Sequence, residues 1–102
     1  MMTKTHTFKA DLYDNVCAWL HLLIDEGKIT PKNEILFNFV IQMLTNEISV
    51  DKNDIVTINI EYDTAIDYCA VQSFFVVAYS EYKDKDEVLS DNLMRMYVRI
   101  SQ

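Results

Sequence analysis

Apolar residues recur every three or four positions through the first quarter of the chain. Leu12, Val16, Trp19, Leu20 and Leu23 form one stripe, which predicts a helix over residues 9–26. Cys17, Leu22 and Ile24 widen the stripe, so this helix is expected to be more buried than an ordinary surface helix. Asp11 and Asp14 sit near its start, where the helix dipole favours negative charge. The only glycine, Gly27, suits the left-handed residue that ends a helix, and Lys28 follows on the side where positive charge helps. Thr30 and the only proline, Pro31, read as a cap and a first helical position. A second helix is then predicted with Ile35, Leu36, Phe39, Val40, Met43, Leu44 and Ile48 on one face, opposite Asn33, Asn38, Gln42 and Asn46. Together these make a helical hairpin over residues 10–48.

The period changes after Ser49. Residues 50–54 read as a polar link. Val56, Ile58, Ile60 and Tyr62 then alternate with Thr57, Asn59 and Glu61, the pattern of a half-buried strand. Residues 68–82 fit two periods. Ser73 to Tyr79 is rich in aromatic and β-branched residues and is expected to be a long strand. A helical stripe through Ile66, Cys69, Ala70, Ser73, Phe74, Val77 and Ala78, capped by Asp63 or Thr64, competes with it. Residues 83–92 read as a charged connection with a short helical turn at Val88 and Leu89. Residues 93–100 read as a closing strand, against a competing helical stripe through Leu89, Leu93, Met96 and Ile100. Residues 1–8 are either a frayed tail or an edge strand through Thr5, Thr7 and Phe8. The expected fold is α+β in one domain: an N-terminal two-helix hairpin packed on a three-stranded antiparallel sheet. The alternative is an ααβαβ order with residues 64–82 helical and the flanking strands paired in parallel.

Composition narrows the functional menu. One glycine cannot build a P-loop, a dinucleotide fingerprint or a nucleophile elbow, each of which needs several at set offsets. Half of the 102 residues are apolar, enough for a core without metal or disulfide staples. A formal net charge of −7 repels phosphate backbones and anionic headgroups, so direct nucleic-acid and membrane binding are disfavoured and a basic protein partner is the better fit. The longest apolar run, residues 74–79, is far too short to span a bilayer. The N-terminal stretch has no apolar core of a secretory signal. Cys17 and Cys69 share no CxxC spacing and are expected to be buried, unpaired thiols in a reducing cytoplasmic setting.

Candidate chemistry is thin. His6 falls in a polar tail, and His21 on the first helix reads as a boundary residue. Cys17 and His21, four apart, would share a helix face, but nothing nearby completes a ligand set or a triad. Asp51 to Asp54 lacks the glycine and terminal glutamate of a calcium loop. No cofactor or metal site is expected. Met43, Met94 and Met96 read as core filling. What remains is acid clustered after residue 60, with tyrosines beside it. Glu61, Asp63, Asp67, Glu81, Asp84, Asp86, Glu87 and Asp91 are expected to converge at one sheet margin, with Tyr79 and Tyr82 flanking them. Such a row could imitate a nucleic-acid backbone and occupy a basic, nucleic-acid-handling surface, as small acidic phage-encoded inhibitors do. The leading expectation is therefore a non-enzymatic accessory or inhibitor protein. A structural homo-oligomer, such as a homodimer, is second, and a metal-dependent hydrolase or nuclease third.

Overall fold

The computed structural model describes residues 1–102. The chain begins with a strand, β1 (Met2–Lys9), not with the helical hairpin. Its outward positions, Thr3 and Thr5, are exposed, and its inward ones include the fully buried His6 and Phe8. Of the two readings of residues 1–8, the edge strand holds and the frayed tail does not: threonine suits a pleated surface, and the segment pairs with its neighbour from Met2 to Lys9. α1 (Ala10–Asp25) follows with no intervening loop and buries Leu12, Tyr13, Val16, Leu20 and Leu23. Its end is a Schellman motif. Gly27 takes φ +71° and donates to the Ile24 carbonyl, while the Lys28 amide reaches back to that of Leu23.

Thr30 and Pro31 form a turn ahead of the helix they were expected to start. α2 (Glu34–Thr45) begins three residues later, behind Asn33, whose side-chain oxygen accepts from the Thr30 amide at 3.3 Å. α2 buries Phe39, Val40 and Met43. Ile48 is not on this helix. It opens a short strand, β2 (Ile48–Val50), which turns back through residues 51–54 into β3 (Ile55–Tyr62). In that turn the Asp51 carboxylate accepts from the Asn53 amide at 2.8 Å and the Ile55 amide at 3.1 Å. β3 buries Val56, Ile58, Ile60 and Tyr62, the alternation legible in the sequence. It is the central strand of an antiparallel sheet ordered β1-β3-β2, with Met2 opposite Tyr62, Phe8 opposite Val56 and Ile48 opposite Ile58.

The second half corrects the expected sheet. Residues 64–82 are not a strand but α3 (Ala65–Tyr82), and residues 93–100 belong to α4 (Glu87–Ile100) rather than to a closing strand. Both helices start at side-chain caps. The Thr64 hydroxyl accepts from the Asp67 amide at 3.2 Å, and the Asp86 carboxylate accepts from the Leu89 amide at 3.0 Å. Eighteen residues is also long for a strand and ordinary for a helix. α3 buries Val71, Phe75 and Ala78. α4 buries Leu93, Met96 and Ile100, the stripe that competed with the strand reading. The ααβαβ alternative was right about α3, but no parallel strand pair exists. The architecture is four helices on one face of a three-stranded antiparallel sheet, with Thr3, Thr5, Asn59 and Glu61 exposed on the other. No helix is long and apolar enough to cross a membrane.

Candidate functional site

Because residues 65–82 are one helix, the acidic residues do not form a single row. Glu61 is the penultimate residue of β3, Asp63 lies in the following turn and Asp67 is in the first turn of α3. Tyr79, Glu81 and Tyr82 lie at the other end of that helix. Asp84 is in the link beyond it, Asp86 caps α4, and Glu87 and Asp91 lie on α4. Asp67 and Glu81 are fourteen positions apart on one helix, about 21 Å at 1.5 Å per residue. The carboxylates make two groups at opposite ends of α3.

The group at the far end is partly committed to structure. Tyr82 packs edge-on against Trp19, with ring centroids 6.3 Å apart. The Asp86 carboxylate is committed to its cap. Glu87 and Asp91 share a shallow depression with Tyr79 and the cation Lys83. Glu81 and Asp84 are simply exposed.

The group at the start of α3 is different. Glu61, Asp63 and Asp67 line a cleft of about 560 Å³ together with Glu34, which the first turn of α2 supplies. Its apolar lining includes Ile35, Phe39, Ile41 and Tyr62. None of the four carboxylates has a cationic partner, since the molecule's ion pairs are His21 with Asp25 and Lys28 with Glu26. The cleft is held open by α2. Past the end of β2, the edge of β3 would have unpaired peptide groups. The Gln42 amide replaces a strand there, accepting from the Glu61 amide at 2.8 Å and donating to its carbonyl at 2.9 Å. Asn46 donates to the Asn59 carbonyl at 2.9 Å. These bonds lock the backbone of Glu61 while its carboxylate stays free.

Behind the exposed Ile35 and Ile41 of the cleft lies a largely buried aromatic stack. Tyr62 lies against Phe39, with centroids 6.4 Å apart and nearly parallel planes, and edge-on to Tyr68 at 5.1 Å. Its hydroxyl lies 3.0 Å from Nε2 of His6. Burial, helped by the charge of Lys4, pushes His6 down to about 4, and burial pushes the Tyr62 phenol up. At neutral pH both are uncharged, so this buried contact is a neutral hydrogen bond behind the wall. Nδ1 of His6 has no partner. His6 is thus a core residue, not part of a tail.

The Cys17–His21 pairing does not form. Cys17 is half-buried against the Met43 carbonyl, and burial pushes its thiol up to about 11, far from a reactive thiolate. His21 is exposed and faces Asp25, with Nδ1 3.3 Å from a carboxylate oxygen. Cys69, expected to be buried, is exposed on α3, and both cysteines are free. No three His, Cys, Asp or Glu side chains gather in a way that could hold a metal ion. Sequence reasoning found three of the four cleft carboxylates because they are neighbours in the chain. It missed Glu34 and Gln42, which only the docking of α2 on β3 and α3 brings there. No protein-family model, curated protein or solved structure matches this chain.

Proposed function

We propose that this chain is a non-enzymatic binding protein that takes a basic segment of a partner protein into the cleft between α2 and the β3–α3 junction. The observation that carries this reading is the set of four unpartnered carboxylates, Glu34, Glu61, Asp63 and Asp67, around an apolar wall. An arginine or lysine fits that environment in two ways. Its aliphatic stem packs on Ile35 and Ile41, and its charged head meets the carboxylates. The net charge of −7 attracts such a partner from a distance. A nucleic-acid-handling protein presents basic surfaces of this kind, which keeps an inhibitory role within the proposal. Two free thiols suit a reducing, cytoplasmic setting.

Titration of a labelled arginine- and lysine-rich peptide containing leucine tests this reading. Binding is expected to weaken steeply with salt, and to weaken about tenfold or more in a Glu34→Gln, Glu61→Gln, Asp63→Asn variant. Affinity unchanged by both salt and substitution would overturn the reading.

A second reading, self-association, is favoured by the outer face of α3. Ile66 is 77% exposed and Val77 65% exposed, with Cys69 and Val76 also exposed, and no charged residue lies between Asp67 and Glu81. Apolar helix faces of this kind are commonly covered by another chain. A monomeric mass by light scattering at high protein concentration would remove it.

A further inference from the structure

At the other end of β3 the charge pattern inverts. The last two turns of α4 meet the end of β1, the start of α1 and the start of β3 around a second cleft of about 360 Å³. Its charged lining residues are Lys9, Arg95 and Arg99, and its walls are Phe8, Leu12, Ile55, Met94 and Val98. The chain has nine Lys and Arg against sixteen Asp and Glu, and these are its only two arginines. Yet no carboxylate lines this cleft.

Both guanidiniums are held without an acidic partner. Arg99 donates from Nε to the Thr7 carbonyl at 2.9 Å and from Nη2 to the Thr7 hydroxyl. That brace between α4 and β1 uses two of its five N–H donors. Arg95 makes one long bond, 3.4 Å, from Nη1 to the Asn92 side-chain oxygen. Arg95 and Arg99 stand one helical turn apart, where like charges repel. Asp91, one turn before Arg95, instead lines the depression with Lys83. The first turn of α1 reaches the cleft at Leu12. Its N-cap residue is Lys9, which supplies no side-chain cap, and the Ala10 amide is bonded to the neutral Asp54 carbonyl at 2.8 Å. Asp11 in the same turn is exposed and does not line the cleft. An acidic protein has thus gathered both arginines and a lysine, unneutralised, beside an apolar recess.

We propose that this recess is a binding site for a small amphipathic carboxylate, an acid whose apolar body is a short alkyl chain or single ring. The carboxylate would take the free donors of Arg95, Arg99 and Lys9, in the planar geometry that guanidinium groups favour. The body would replace water against the exposed Val98 and the half-buried Ile55 and Met94, over the buried Phe8 and Leu12. The volume lies at the small end of the range for ligand pockets, about 300–1,000 Å³, which suits a molecule of this size and not a helix or strand of a partner. The site is separate from the acidic cleft, and its failure would leave the reading of that cleft untouched.

The test is an amide-resolved NMR titration of the full chain with octanoate, octanol and octylammonium. Octanoate is expected to shift the amides of residues 8–12 and 94–99 saturably, with octanol and octylammonium each weaker by about tenfold or more. Arg95→Gln is expected to weaken octanoate binding by a similar factor, about tenfold, while Arg95→Lys retains part of it. Arg95 makes no bond that holds the fold together, so the amide spectrum of the variant should remain that of a folded chain. Should Arg95→Gln nevertheless fail to fold, Lys9→Gln takes its place with the same expectation. Equal binding of octanoate and octylammonium, shifts located elsewhere, no shifts at all, or an affinity indifferent to these substitutions would each overturn the proposal.

Discussion

At the scale of single residues, His6 and Gly27 have the most definite consequences. His6 is 1% exposed, with Nδ1 unpartnered and Nε2 on the Tyr62 hydroxyl. The groups facing it are Lys4 and Phe8 on its own strand, Tyr62 on β3 and Tyr68 on α3, none of which brings a negative charge to offset an imidazolium. Its folded pKa of about 4 lies below the ordinary 6.5, so the unfolded chain binds the proton first. Stability is therefore fully present above pH 6.5, falls as pH drops from 6.5 towards 4, and loses at most about 3 kcal/mol in that window. Urea unfolding across this range should show that loss in the wild type. His6→Gln keeps a partner for Tyr62 and does not titrate, so its curve should be flatter by the same amount; parallel curves would contradict this assignment. Gly27 sits at φ +71° with nothing within 4 Å of an added Cβ. Gly27→Ala should then cost about 1 kcal/mol through backbone strain alone, read as a lower unfolding midpoint with unchanged slope.

At the scale of elements, what was legible in the sequence followed from how one-sided each segment is. α1 and β3 each bury one face, so Leu12, Val16 and Leu20, and then Val56, Ile58 and Ile60, could be read from spacing. β1 was obscured because its inner face includes Lys4 and His6, polar residues that only aromatic neighbours and a cation–π contact of Lys4 with Tyr68 accommodate. α3 was obscured for the opposite reason. It is apolar on its buried side, at Val71 and Phe75, and also on its solvent side, at Ile66 and Val77, so no period stands out. Its crowd of Phe, Val and Tyr then pointed to a strand, and tertiary packing overrode that preference. The acidic cleft was half legible for a related reason: Glu61, Asp63 and Asp67 are adjacent in the chain, whereas Glu34 arrives through packing of α2. If caps decide helix against strand here, Thr64→Ala and Asp86→Ala should each cost about 1 kcal/mol. Each should also speed amide exchange in the first turn of its own helix. Unchanged exchange in both variants would mean that packing alone sets these starts.

At the scale of the whole molecule, the fold sorts charge by face. Acid that is contiguous in the sequence is divided by α3 into an unneutralised cleft beside α2 and a group beyond Tyr79 that is partly committed to capping and packing. Both arginines are placed elsewhere, on the flank of α4 that meets β1. The proposed docking role therefore rests on one cleft and not on total acidity. The most direct test compares two neutralised chains of equal charge in the same basic-peptide titration at low salt. One carries Glu34→Gln, Glu61→Gln, Asp63→Asn and Asp67→Asn. The other carries Glu81→Gln, Asp84→Asn, Glu87→Gln and Asp91→Asn. A cleft-centred interaction predicts that the first loses affinity by about tenfold or more relative to the second. Equal losses in the two chains would show that the peptide responds to net charge alone, and would contradict the account.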